Sequence, residues 1–310
     1  MRLPSRKSKR FDVVGFGLNS VDHICVVKHH PRLDSKQQLV TYDVQPGGQV
    51  PTALVALQRW GLQTAYVGAF GDDHGGTMAK AALLGDGIDL AATAVRSGTR
   101  HQVSVILVDD ISGERSVMGE TPGLLRLRDD ELNKEMLTSG RILLMDAVDI
   151  PTACMAAAWA QEAEVRTVLD IDEPALGIDD LLKLTDVLIA GSEFPAKLTG
   201  KTDLREALGD IAARGPSFVG VTLGAGGALA LVRGQFHYVP AFRLPVVDST
   251  GAGDIFHAGS IYGLLKGWPV DDTIRFAAAA AALKCGKLGA RPGIPGLERA
   301  LSLAKVNGRP

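Results

Sequence analysis

Short apolar runs alternate with amphipathic stretches along most of this chain, and they set out its elements in order. Residues 12–17 open with an apolar strand that ends in Gly15-Phe16-Gly17. Residues 24–27 and 38–44 read as two more strands, with His29, His30 and Pro31 in the loop between them. Over residues 50–60, Leu54, Leu57 and Trp60 fall on one helical face, and Pro51 suits a first helical turn. Residues 64–67 form the next strand. Residues 103–108 and 115–118 read as a hairpin whose turn holds Asp109, Asp110 and Gly113. From residue 142 the pattern becomes strand, helix, strand. A strand over 142–145 is followed by a helix through Trp159. Strands at 167–169 and 187–190 are each followed by helix, and 218–222 is another strand. This alternation predicts a largely parallel sheet with helices on both faces. An extended run over 236–247, limited by Pro245, leads to a helix over 255–265, and 271–284 is an Ala-rich helix.

With 310 residues, 46% of them apolar and 22% charged, the chain can build one large α/β domain or two smaller ones. No internal repeat, low-complexity segment or linker divides it. A net charge of −2 gives no general attraction to nucleic acid. Cys25, Cys154 and Cys285 are far apart and form no metal-ligand spacing, which points to a reducing, cytoplasmic setting. Arg2, Arg6, Lys7, Lys9 and Arg10 are followed by no apolar run, so residues 1–10 are expected to be a solvated, mobile basic tail. The longest apolar run, 276–283, lies between Arg275 and Lys284 and falls short of the roughly 20 residues that a bilayer requires. No membrane partner is expected.

The densest chemistry lies at Asp248-Ser249-Thr250-Gly251-Ala252-Gly253-Asp254. Gly251 and Gly253 allow a backbone path that a Cβ would resist. A helix follows, so backbone N–H groups and a helix N-terminus converge on one anion site. Asp254 sits at its rim, in the first turn. A phosphate pocket beside a carboxylate suits phosphoryl transfer to an alcohol: the N–H groups hold the developing charge and the carboxylate takes the hydroxyl proton. Asn19 and Asp22 follow the first strand, at the end where open α/β sheets bind ligands. Gly47 and Gly48 precede a helix and let backbone approach a ligand closely, and Lys36 is a candidate for an anionic substrate group. Thr222-Leu223-Gly224-Ala225-Gly226-Gly227 follows a buried strand, and its glycines admit a flat ring or a phosphate. The chain holds no P-loop pattern.

The 248–254 stretch resembles the second signature of the ribokinase-like, or PfkB, carbohydrate kinases, and Gly68-Ala69-Phe70-Gly71-Asp72-Asp73-His74-Gly75 resembles the first. The resemblance runs over roughly residues 12–305. It implies an α/β fold: a three-layer sandwich with a mostly parallel central sheet and a small β-sheet lid. Residues 11–310 would form one kinase domain, with lid strands within about 20–45 and 95–120. It also implies an ATP-dependent sugar kinase. Asp254 would be the catalytic base, and the backbone of Gly251, Ala252 and Gly253 the anion hole. Asp22, Gly47, Gly48 and Thr52 would bind the sugar, with Thr52 standing where the family has Asn. Thr222, Gly224, Gly226, Gly227 and Thr250 would border the nucleotide, and Arg115 would approach its phosphates.

Glu193 matches the Glu of a family motif that orders Mg²⁺ through water, while the Asn of that motif is replaced by Ala190, or by Gly191 in a shifted register. The loop carrying Gly286, Gly289, Pro292, Gly293 and Pro295 would close the nucleotide pocket and can hold a monovalent cation such as K⁺ through backbone carbonyls. Within the family, residues 251–257, 281–285 and 291–295 are most similar to sulfofructose kinases and ketohexokinases, which favours a ketose-like sugar. Lys36 matches a sulfonate-contacting Lys of the former, whereas the Asn and Arg of that pocket are replaced near Gly119 and Val148. Two alternatives share the fold: a nucleoside kinase, with Tyr42 to stack a base, and a non-catalytic sugar-binding protein. The expected partners are a sugar, ATP and a second copy of the chain. The two copies would join through lids whose apolar face includes Val26, Val40, Val105 and Leu107.

Overall fold

A computed structural model describes residues 3–5 and 8–306. The first half of the chain runs β1 (Phe11–Phe16), β2 (Val21–Val27), β3 (Thr41–Pro46), α1 (Gln49–Arg59), β4 (Thr64–Gly71), α2 (His74–Gly85), β5 (Thr93–Arg96), β6 (Val103–Asp109) and β7 (Arg115–Glu120). Then come α3 (Lys134–Leu137), β8 (Gly140–Asp146), α4 (Ile150–Glu162), β9 (Arg166–Ile171), α5 (Ile178–Lys183), β10 (Val187–Gly191), α6 (Phe194–Thr199), α7 (Leu204–Ala213) and β11 (Phe218–Thr222). The chain closes with β12 (Ala228–Val232), β13 (Gln235–Val239), α8 (Ala252–Lys266), α9 (Val270–Lys284) and α10 (Leu297–Ala304).

Among the described residues, nine strands form one sheet in the order β13-β12-β11-β10-β9-β8-β1-β4-β5. The pairings from β11 across to β5 are parallel, and β12 and β13 add an antiparallel edge. β1 and β4 are buried along their whole length, as strands covered on both faces must be. Alternate residues of β8 serve opposite layers. Ile142 and Leu144 pack with residues of α1, α8, α9 and α10, while Leu143 and Met145 pack with α4, α5 and α7. The first layer is tightened where Gly259 of α8 faces Ala277 of α9 with no room for a Cβ, which is the packing that small residues on these helices permit. Trp60, Tyr262, Trp268 and Phe276 interlock there at ring separations of 5.4–5.9 Å, and Trp60 Nε1 donates to Pro295 O at 2.9 Å, tying the loop after α9 to this layer.

Four strands make a second, smaller sheet in the order β3-β2-β6-β7. β2 pairs with β3 antiparallel and with β6 parallel, and β6 pairs with β7 antiparallel, which makes β6 and β7 the expected hairpin. The strand expected over 38–44 starts three residues later and ends two residues later, at Thr41–Pro46. β5 joins the large sheet rather than the small one. The inner face of the small sheet carries Ile24, Val26, Ile106 and Val108, packed with Leu288. Val26 therefore faces inward and is not part of the expected outer face. Val105 and Leu107 alternate to that outer side and are half-buried, with exposed Tyr42 and Met118 on the neighbouring strands and exposed Val40 just before β3.

The extended run expected over 236–247 is strand only as far as Val239. Pro240 follows with no N–H to donate. Beyond it the chain is held by the segment after α9: Val247 N and Asp248 N both donate to Cys285 O, at 2.8 and 3.2 Å. Of the basic N-terminal residues, Arg2, Arg6 and Lys7 lie outside the described residues. Lys9 Nζ donates to Thr138 O and Ala163 O at 2.9 and 3.2 Å, and Arg10 pairs with Asp89 at 2.8 Å. These two cations are thus bonded to the body of the domain. No described helix is long and apolar enough to cross a membrane.

Candidate active site

The carboxyl ends of the parallel strands, the N-terminus of α8 and the small sheet are brought together by contacts of His257 with Ile189 and Asp170 and of Arg115 with Ser249. The end where a phosphate is expected is the turn into α8. Gly251 has φ of 78°, the left-handed region that L side chains rarely adopt, and a Cβ there would also lie 2.6 Å from Ala290 Cβ. Ile255 N is the first to bond back within the helix, to Gly251 O at 3.0 Å. Ala252 N is taken by Ser249 O at 3.1 Å, so the remaining first-turn N–H groups are left for an anion. Asp248 frames the turn from behind. Its Oδ1 accepts from Thr250 N and Thr250 Oγ1 at 2.8 and 2.7 Å, and its Oδ2 accepts from Gly289 N at 2.7 Å.

Asp254 stands half-buried in the first turn of α8. Burial pushes its carboxyl well above the usual carboxylate range, and the negative charge of Asp170 adds to this, while His257 and Arg115 oppose it. Arg115 comes from the start of β7, and its Nη1 donates to Ser249 Oγ at 3.1 Å. Ser249 N and Oγ in turn donate to Gly113 O, both at 3.1 Å. The hairpin of the small sheet is thereby docked on the phosphate end.

His257 fixes α8 over the sheet. Its Nδ1 lies 2.9 Å from Gly253 O and its Nε2 3.2 Å from Ile189 O, in the middle of β10. Asp170 Oδ1 lies 3.5 Å from the same Nε2. Burial raises the Asp170 carboxyl, helped by the charge of Asp172. Gln49 Nε2 donates to Asp172 Oδ2 at 3.1 Å and reaches Asp170 Oδ1 at 3.4 Å, linking α1 to these carboxylates.

At the end where the sugar is expected, Asp22 of β2 is buried, and its Oδ1 accepts from Ser20 Oγ at 2.7 Å. Burial raises its pKa, while the Ser20 hydrogen bond and the charge of Arg291 lower it. A Cβ on Gly47 would collide with this carboxylate. Gly48 has φ of 91° and lies against the backbone of Leu18 and Asn19. Thr52 is wholly buried in α1, and its Oγ1 has no protein partner. The same holds for Asn19 Oδ1, although Asn19 Nδ2 donates to Tyr66 OH at 2.7 Å and to Ala69 O at 3.1 Å. Arg291 is 5% exposed, donates through Nη2 to Gly47 O at 2.7 Å, and leaves Nε and Nη1 without a partner. Asp146, at the end of β8, accepts from Leu18 N at 2.9 Å, and burial pushes its carboxyl up to about 6.

The other expected residues fall as follows. Thr222 ends β11, and its Oγ1 reaches Ala190 O at 3.4 Å. Gly224, Gly226 and Gly227 form the turn that joins antiparallel β11 and β12, so this stretch is also a strand connection, and Tyr238 OH donates to Gly226 O at 2.9 Å. Lys36 is exposed, on the loop between β2 and β3. Glu193 precedes α6 as an exposed carboxylate paired with Lys197 at 2.7 Å, which holds its pKa down. At the end of β10, Asp172 Oδ1 lies 2.9 Å from where Gly191 would carry a Cβ.

Sequence reasoning assigned no role to Asp146, Asp170, Asp172, His257, Lys284 or Arg291. Each is an ionisable residue positioned by long-range contact. The one local signal was a pair of acids at the end of a predicted strand, Asp170 and Asp172 after 167–169.

A helix-end anion site with a raised carboxylate at its rim, roofed by a small sheet, defines a phosphotransferase of the α/β class. Residues 10–296 match the model of the pfkB family of carbohydrate kinases, and the chain belongs to that family. It is 26% identical to the ribokinase of Haemophilus influenzae over 90% of this chain and 94% of that one. It is 25% identical to the ketohexokinase of Mus musculus over 88% of this chain and 95% of that one. The fold matches Arabidopsis thaliana ribokinase complexed with ribose and ATP at a TM-score of 0.80 and 23% identity, covering 96% of this chain and 99% of that one. The chain is a carbohydrate kinase with an alcohol group as acceptor.

Proposed function

We propose that this kinase transfers the γ-phosphoryl group of ATP to a hydroxyl of a small ketose-like sugar, with Asp254 as general base. The observation that carries the reading is Asp254 itself: a carboxyl whose pKa burial raises, in the first turn of the helix whose N–H groups face the anion site. In the transfer, the sugar hydroxyl gives its proton to Asp254, its oxygen bonds to the γ-phosphorus, and the bond to the ADP oxygen breaks. The N–H groups of Gly251, Gly253 and Asp254 and the Arg115 guanidinium offset the charge on the phosphoryl oxygens. Asp22, the Gly47-Gly48 backbone and Thr52 position the sugar. Thr222 and the 224–227 turn border the nucleotide. The ketose preference rests on the similarity to mouse ketohexokinase.

Mg²⁺ would enter with ATP and neutralise its phosphates. Among the described residues no three His, Cys, Asp or Glu side chains converge tightly enough to hold a metal alone, which fits an ion ligated chiefly by phosphate and water, with Asp172 and Glu193 as outer carboxylates. A nucleoside substrate is disfavoured because Tyr42 pairs with Cys25, on the face of β2 opposite Asp22, and its hydroxyl bonds His23 Nδ1 at 2.7 Å. We place the enzyme in the cytoplasm, where ATP is supplied.

The small sheet acts as a lid that excludes water from the transfer. A second copy would cover its outer face, at Val40, Tyr42, Val105, Leu107 and Met118. Light scattering should give a dimer, and a monomer at micromolar concentration would contradict this. The catalytic reading is tested by an ADP-forming assay over a panel of ketoses, aldoses and nucleosides. A ketose should give the highest kcat/KM, and ATP binding without turnover on any sugar would reject the reading.

A further inference from the structure

The monovalent cation expected in the loop after α9 would sit among carbonyls near Asp248, and in this chain a side chain already brings a positive charge there. Lys284, the last residue of α9, is wholly buried. Its Nζ donates to Asp248 O at 2.7 Å and lies 4.0 Å from Asp248 Oδ2. A backbone carbonyl and a carboxylate are the oxygen types that a hard monovalent ion would take. The rest of the enclosure is made by the same loop: Gly289 N bonds Asp248 Oδ2, and Cys285 O accepts from Val247 N and Asp248 N. Gly293 packs against Lys284. A Cβ there would collide with Lys284 O and lie 3.2 Å from Lys284 Cε. Lysine is almost never fully buried unless it is paired, and its pairing here is with the residue that frames the anion turn. A potassium ion on the same oxygens would meet a second unit charge within a few ångströms, so the residues present do not fit it.

We propose that the Lys284 ammonium is the resident cation of this site, holding the Asp248–Asp254 turn in its anion-binding form so that nucleotide binding needs no potassium or sodium. The ammonium supplies one positive charge behind the turn, and its N–H bond to Asp248 O fixes the residue whose carboxylate orients Thr250 and Gly289. Gly293 is the companion feature, since a Cβ there would collide with the Lys284 carbonyl and crowd Cε of its ammonium arm.

The proposal rests on the nucleotide-binding reading above, and the test separates the two. ADP affinity is measured by calorimetry, and the unfolding temperature by a thermal scan, for the wild-type chain and Lys284→Met. Each is run in tetramethylammonium chloride with and without potassium at constant ionic strength. The wild-type protein should show the same ADP affinity and unfolding temperature in both salts. Lys284→Met should lose about tenfold or more in ADP affinity without potassium and recover part of it, with a higher unfolding temperature, when potassium is added. Wild-type ADP binding or unfolding that responds to potassium overturns the proposal, as does a folded Lys284→Met variant whose ADP affinity ignores it. If Lys284→Met does not fold, the wild-type comparison decides alone. If the wild-type protein binds no ADP in either salt, the nucleotide reading fails, and the unfolding temperatures still decide whether the site responds to potassium.

Discussion

Asp254 lies between a phosphate end and a sugar end that are held in different ways. At the phosphate end the framework bonds to itself. Asp248 accepts from Thr250 and Gly289, Ser249 bonds the lid hairpin, and Lys284 closes the back. At the proposed sugar end, Asn19 Oδ1, Thr52 Oγ1 and two nitrogens of Arg291 are buried without a protein partner. A phosphate site works best when its donors are fixed before the charge arrives. A sugar site gains selectivity when its polar groups are satisfied only by the right hydroxyls, because a substrate lacking one leaves a buried group unpaired. Under the proposed function, the difference would give catalysis to the first end and discrimination to the second.

The largest effect should come from the residue that both ends share. Asp254→Asn keeps the shape but removes the base, so kcat should fall by about 10²-fold or more, with nucleotide affinity retained. Near wild-type turnover in that variant would remove Asp254 from the chemistry. Next in size is Asp22→Ala, which should raise the KM for sugar by about tenfold and leave the KM for ATP nearly unchanged, because Asp22 belongs to the sugar end alone. Equal changes in both constants would move it out of the sugar pocket.

A smaller effect concerns pH. Asp254 must be ionised to accept a proton, so activity should fall as pH drops through its raised pKa. The negative charge of Asp170 raises that pKa, so Asp170→Asn should move the acid limb of kcat/KM to lower pH. Arg115 lowers it, so Arg115→Ala should move the limb to higher pH. Each shift is expected to be under about one pH unit. A limb that stays put in both variants belongs to another group.

The two ends also differed in how far the sequence revealed them. The turn at 248–254 is contiguous, so its glycines and Asp254 state their conformation and chemistry within seven residues. Gly47 and Gly48 stood out because they precede a helix, and Asp22 because it follows the end of the first strand. Lys284 was not. A lysine in the last turn of a helix reads as an exposed cation favoured by the helix dipole, and only the meeting of α9 with Asp248 and Gly293 buries it. Arg291 is likewise defined by a carbonyl at Gly47, far away in the chain. The facing of β2 was ambiguous because apolar residues occupy both of its sides, so Val26 was expected outside and lies inside. The strand over 236–247 was over-extended because apolar content alone does not show where a pairing partner ends.

The contrast between a preformed phosphate end and a sugar end completed by its ligand is tested most directly by hydrogen exchange, with and without a saturating amount of the best sugar from the panel. Sugar should raise protection in β2, β3, β6 and β7, where the lid closes. It should change little over residues 248–252, where the N–H groups of Ser249, Thr250 and Ala252 are already bonded within the protein. Unchanged protection in those four strands, or a gain confined to the 248–252 turn, would contradict the account.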